Sequence, residues 1–279
     1  MQEFLADYGI WIAAMVFAGV VGGFAAGLLG VGGGIVIVPV LYFVLGGVGV
    51  DDAVRMKIAV ATSLSTIVLT SLSSARSHYK RGAVDFSLLK SWGLPIFIGV
   101  VCGTAIGGRV DGLVLTSVFA VIALLVAVNM VVRADNSALT EDFPNVGVKS
   151  AVGVFVGLFS AMMGIGGGTL SVPILTAFGF DIRKAVGTAA AIGFIIAIPG
   201  TIGYAAAGWG EANLPAGSIG YVNLIALVAL VPLTMLIAPL GAKVAHAIPR
   251  RMLSYAFATF LGVTAIRMFV DIYGQIWAG

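Results

Sequence analysis

The chain has 279 residues, 60% of them hydrophobic and only 10% charged, against roughly 25% charged in a soluble domain, so water cannot solvate the surface such a composition makes. The net charge of +3 comes from Lys and Arg in short polar loops, which is how membrane topology is set; nucleic acid is excluded as a partner and the lipid bilayer is the solvent. The single cysteine, Cys102, sits in an apolar run, which excludes a disulfide framework and a cysteine-based metal site.

The opening MQEFLADYG carries Glu3 and Asp7 but no Lys or Arg, so it lacks the basic start of a secretory signal, and residues 10–29 are expected to remain as the first membrane segment. That segment runs into GLLGVGGGIVIVPVL, where Gly32, Gly33 and Gly34 precede a short apolar piece, 35–45, about half a bilayer long and containing Pro39. Three segments of spanning length follow, 57–75, 92–108 and 113–132, and then a polar linker, 133–149. The pattern starts again at 150–163 with SAMMGIGGGTLSVPIL, in which Gly166, Gly167, Gly168 and Pro173 match Gly32, Gly33, Gly34 and Pro39. A second short piece, 169–178, precedes segments 185–206, 221–242 and 252–270.

The likeness continues beyond the glycines. Ala59, Val60 and Thr62 pair with Ala185, Val186 and Thr188, Gly82 with Gly208, and Gly107 and Arg109 with Gly241 and Lys243. Leu115, Phe119, Ala120 and Met130 then pair with Leu253, Phe257, Ala258 and Met268, so residues 1–132 and 150–279 read as two copies of one unit.

Basic residues decide how each broken segment counts. If each glycine-interrupted pair returns to its starting side, Arg76, Lys80, Arg81, Lys90, Arg133, Lys149, Arg183, Lys184, Lys243, Arg250 and Arg251 are cytoplasmic, and only Arg55, Lys57, Arg109 and Arg267 are outside. If each pair crosses once, the bias disappears. The expected fold is therefore an all-α polytopic membrane protein of two inverted repeats. Each repeat is a broken or re-entrant helix pair followed by three transmembrane helices, with both termini outside.

Three glycines in hydrocarbon are costly unless their backbone groups find partners or line a cavity, so each triplet predicts a broken helix. The half-helix that follows points unpaired N–H groups and a positive dipole end into the membrane centre, a place for an anion. The predicted binding residues are Gly32, Gly33, Gly34, Thr62, Ser63, Gly166, Gly167, Gly168, Thr169 and Thr188, with Thr66 nearby. Thr169 and Ser171 stand where the first copy has Ile35 and Ile37, so a ligand would meet unequal walls. Arg76 and His78, at the cytoplasmic end of 57–75, are placed to attract an anion or to anchor headgroups. His246 with Lys243, Arg250 and Arg251 reads as topology determination.

Other features read as structure. Gly19, Gly23 and Gly27, then Gly99, Gly103 and Gly107, then Gly153, Gly157 and Ala161 are small-residue packing stripes. Trp11, Trp92, Trp209 and Trp277 read as interface anchors, and Asn129 and Arg267 as snorkelling ends. GVGGGI is not a dinucleotide loop, because Ile35 stands where that motif needs glycine. No ionisable residue falls at a span centre; the Asp and Glu residues all read as terminal or in loops, Asp271 as terminal. No nucleophile with a base, carboxylate pair or metal-ligand set lies at span depth, so neither an enzyme nor a cofactor is expected.

The two glycine-proline motifs, with KIAVATSL and RKAVGTAA after them, resemble the TauE/SafE sulfite-exporter family over nearly the whole chain. The resemblance implies a transporter of the bacterial cytoplasmic membrane for small sulfur-containing anions such as sulfite, organosulfonates or sulfoacetate. Ser63 has Ala189 as its counterpart, so the two Thr motifs do not offer equal hydrogen bonds. Alternating access by two rocking halves is the expected mechanism, and a homo-oligomer is compatible with the sequence. A channel-like pore for anions or small solutes would share the breaks but conduct without saturating, and a non-transporting scaffold would show no flux.

Overall fold

The computed structural model describes residues 2–30, 32–132, 143–244 and 249–278; residues 133–142 of the linker, His246 and the Trp11 side chain lie outside them. The protein is an all-α polytopic membrane protein. Its helices are α1 (Gln2–Leu29), α2 (Gly34–Gly47), α3 (Asp52–Tyr79), α4 (Phe86–Gly107), α5 (Gly112–Val132), α6 (Val146–Met163), α7 (Gly168–Ala177), α8 (Ile182–Ala207), α9 (Leu224–Val244) and α10 (Arg250–Ala278). Among the described residues, six of these (α3, α4, α5, α6, α8 and α9) are long and apolar enough to cross a membrane. A two-residue hairpin, β1 (Ser218–Ile219) and β2 (Val222–Asn223), precedes α9.

Short polar side chains start several helices by accepting first-turn amides, which have no carbonyl within their own helix. Asp51 accepts from Ala53, Asp85 from Leu88, Asn145 from Val148, and Asp181 from Arg183 and Lys184.

Both glycine triplets interrupt helices, as the sequence predicts. Helix α1 stops at Leu29 and α2 starts at Gly34; α6 stops at Met163 and α7 starts at Gly168. Gly30 and Gly164, at matching places, both hold φ +67°, a left-handed conformation in which a Cβ is strained. The copies then diverge: Gly33 is left-handed at φ +82° while Gly167 is right-handed at −54°. Helix α2, with 14 residues, is about 21 Å long, and α7, with 10, about 15 Å; both fall short of the roughly 30 Å hydrocarbon core.

The long helices enclose these half-helices. Helix α1 packs along α9 and α4 along α6; α3 lies against α8 and α5 against α10, with α3 also touching α9 and α8 touching α4. Exchanging each helix of the first five with its counterpart in the second five leaves this set of contacts unchanged. The closest approaches use the predicted glycine stripes. A Cβ on Gly27 would fall on the Ala238 carbonyl oxygen, on Gly99 on that of Val154, and on Gly157 on that of Ile96; on Gly23 it would lie 2.7 Å from the Thr234 Cα. Gly107 departs from this pattern, facing the Tyr204 hydroxyl.

Two expectations are corrected. Trp92 is not an interface anchor: it is fully buried, and its indole N–H donates to the Lys149 carbonyl at 2.7 Å, fastening α4 to the start of α6. Trp209 and Trp277 are exposed, at 78% and 75%. Asp271 is not terminal, because α10 continues past the apolar run to Ala278. Its carboxylate accepts from the Tyr42 hydroxyl, from Arg55 at 3.1 Å and from Gln275 at 3.2 Å, partners that let a charged residue sit inside the helix.

Candidate functional site

The two breaks meet in the buried interior. A Cβ on Gly34 would fall on the Gly164 carbonyl oxygen and 2.9 Å from the Ile165 Cα, and one on Gly32 would lie 3.4 Å from the Gly166 Cα. Gly33 instead faces Gly22 of its own α1, with that carbonyl oxygen 2.6 Å from the position of a Cβ.

Each break exposes carbonyls of the helix before it, and the two are satisfied differently. At the end of α1, Ser74 of α3 donates to the Ala26 carbonyl at 3.2 Å, and the His78 Nε2–H donates to that of Gly27 at 3.0 Å. At the end of α6 the backbone closes on itself, the Gly164 and Ile165 amides donating to the Ala161 and Ser160 carbonyls. The Ser63 hydroxyl then donates to the Gly164 carbonyl at 2.7 Å, so this residue from the first copy holds the break of the second.

The remaining predicted residues separate into groups. Thr62 accepts the backbone amide of Asn223 at 2.9 Å, and Thr188 that of Asp85 at 2.8 Å, so each pins the loop leading into α9 or α4. Thr66 donates back to the Thr62 carbonyl at 3.0 Å. Thr169 lies in the first turn of α7, beside Gly167 and Gly168, with its hydroxyl buried and without a partner. Arg76 is exposed, whereas His78 is only 2% exposed and engaged at the end of α1, so the two do not form one anion-attracting surface.

Residues that the sequence alone does not select also enter the site. The hydroxyls of Ser71 and Ser160 are buried and have no hydrogen-bond partner, and the same holds for Ser171, which the sequence already sets against Ile37 of the first copy. The Ser71 Oγ and the Gly167 amide nitrogen lie 2.5 Å and 3.8 Å from the place a Gly193 Cβ would take, so the missing side chain leaves both groups facing one notch. On the other break, the Ile67 side chain lies 2.8 Å from the Cβ position of Gly32 and 2.9 Å from that of Gly34. The visible signal for Ser71 was the density of Ser and Thr in α3, an otherwise apolar helix. Among the described residues no cluster of three His, Cys, Asp or Glu side chains forms a metal site.

This arrangement supplies hydroxyl and amide donors, buried away from lipid, without a buried Lys or Arg among the described residues. It suits a ligand rich in acceptor oxygens. A family model for sulfite exporter TauE/SafE matches residues 15–268. The chain belongs to the TauE/SafE family. Both breaks and all the hydroxyls above fall inside the matched region. Among TauE/SafE-like relatives, a probable membrane transporter protein of Haemophilus influenzae is 34% identical over 261 residues, covering 93% of this chain and 98% of that protein. Probable membrane transporter proteins of Methanocaldococcus jannaschii and Bacillus subtilis are 26% and 29% identical, over 94% and 90% of this chain and 97% and 93% of their own lengths. No solved structure matches the chain.

Proposed function

We propose that this protein is a secondary transporter of small sulfur-containing anions, of the sulfite, organosulfonate or sulfoacetate type, in the bacterial cytoplasmic membrane. The anion binds at midplane depth where the two helix breaks meet, and the halves rock about it to open either side. The observation that carries this reading is the contact of Gly32 and Gly34 with Gly164, Ile165 and Gly166, which brings two half-helix N-termini together inside the protein. The exchange symmetry of the helix contacts supports a duplication, and the excess of basic residues on one set of loops supports its inversion and outward termini. Ligand selection then rests on neutral donors preorganised in a dry interior, where they act more strongly than in water.

The test is flux of sulfite and organosulfonates into proteoliposomes. Saturable, counterflow-competent uptake is expected from the wild type, and Gly193→Val, which fills the notch between Ser71 and Gly167, should abolish it while leaving the protein folded. Stabilisation of wild-type protein against heat by the transported anion should accompany uptake. Flux that never saturates, or single-channel currents, would replace the transporter with a pore. Full saturable transport by Gly193→Val would remove the site.

A further inference from the structure

We propose that the duplicated breaks form a one-ended site, in which only the second break takes the negative charge and the first is an apolar wall. This rests on the transporter reading above and adds which end of the site binds charge and which anions it admits. The register that pairs Gly32 with Gly166 pairs Ser160 with Ala26, Thr169 with Ile35 and Ser171 with Ile37. The register that pairs Thr62 with Thr188 pairs Ser71 with Ala197 and Ile67 with Gly193.

Every one of those pairs breaks the symmetry in the same direction. Ser71, Ser160, Thr169 and Ser171 are 0% to 4% exposed and their hydroxyls have no partner, whereas Ala26, Ile35, Ile37 and Ala197 are equally buried and have no polar side-chain atom. A buried hydroxyl without a partner is costly, and four that belong to or face one of two duplicated breaks identify the copy that receives a ligand. Ile67 and Gly193 differ in the same sense. At the first break Ile67 presses on Gly32 and Gly34; at the second its counterpart has no side chain, and the Ser71 Oγ and Gly167 amide face the vacant position. Duplication gave two openings, and Ile67 closes one.

A site with donors at one end and hydrocarbon at the other accepts a single charged group. With no Lys or Arg buried among the described residues and the buried His78 ring N–H engaged by the Gly27 carbonyl, a second charge on the ligand would be desolvated against Ile35, Ile37 and Ile67 without compensation. The ligand class is therefore a monoanionic sulfur oxyanion, R–SO₃⁻ with a small apolar R or the hydrogen-bearing form of sulfite; sulfoacetate, which carries a second charge, is rejected along with sulfate-like dianions.

The test uses the full chain in detergent and in proteoliposomes, with methanesulfonate as the monoanion and sulfate as the dianion. Ser71→Ala and Thr169→Val should each raise the half-saturating methanesulfonate concentration about tenfold or more, the effect of losing a hydrogen bond to a charged group, with thermal unfolding confirming that each variant is folded. Leu125→Ala, on the exposed face of α5 and away from both breaks, should leave that concentration within about twofold. Sulfate should neither stabilise the protein nor compete. Saturable wild-type uptake of both ions alike, or uptake indifferent to Ser71→Ala and Thr169→Val, overturns the one-ended site and leaves the transporter reading standing. Absence of any anion-dependent flux or stabilisation in the wild type overturns both.

Discussion

Ser63 shows how much a single hydroxyl decides inside a membrane protein. Its bond to the Gly164 carbonyl satisfies an acceptor that the break has stripped of its helical partner. Ser63→Ala should therefore lower stability by about 1–3 kcal/mol, the cost of a buried group left unsatisfied, read as an earlier thermal unfolding transition in detergent. His78→Ala should have a comparable effect, because the Gly27 carbonyl loses the ring N–H that caps α1. At this scale the sequence is unevenly legible. The glycine stripes were legible because four-residue spacing of small residues has one common use, and Gly27, Gly99 and Gly157 do lie against neighbouring backbone. The partners of Thr62, Thr188 and His78 were not legible, because each is a main-chain group brought from elsewhere by the tertiary fold. The role of Trp92 is hidden for the same reason: its Lys149 acceptor is invisible until α4 and α6 are docked.

The half-helices differ at their far ends as well as at their starts. Near the end of α2, Tyr42 is bound into a polar knot with Arg55 of α3 and with Asp271 and Gln275 of α10; Arg55 also pairs with Asp52 at 2.9 Å and lies over the Tyr42 ring. Beyond α7 the fastening is aromatic, with Phe178 stacked 4.1 Å from Phe143, and Phe180 and Trp92 beside it. Arg55 and Asp271 are only partly exposed, at 11% and 26% of their side chains, so their coupling should exceed that of a surface pair. A double-mutant cycle with Arg55→Ala and Asp271→Ala should give an interaction of about 0.5–3 kcal/mol in unfolding free energy, and additive effects would show that the pair is idle. Hydropathy could not reveal this knot, since Asp271 follows directly on the last apolar run. The spacing of Arg267, Asp271 and Gln275, one helical turn apart on one face of α10, was the available clue.

For the whole molecule, the duplication was the most legible property, because it is written in residue identities and needs no knowledge of packing. The number and order of helices followed from it, and so did the two breaks. The proposed inversion of the halves makes a prediction that labelling can check. In a Cys102→Ala background, cysteines placed at Arg109 and Glu211 should react with an impermeant maleimide from outside intact cells, and one at Lys80 only after permeabilisation. Reaction of all three from the same side would defeat the inverted arrangement. How the halves join was illegible, because the stripe on α1 does not say which of the other helices it meets.

That join has a consequence for how the protein is made. The partner of α1 is α9, nearly the last helix to leave the ribosome, while α4 waits for α6. The face of α1 bearing Gly19, Gly23 and Gly27 must therefore rest against lipid or a chaperone through most of synthesis. A truncated N-terminal half would be left with an orphaned seam, exposed to membrane quality-control proteases, and supplying the C-terminal half from a second gene should rescue it.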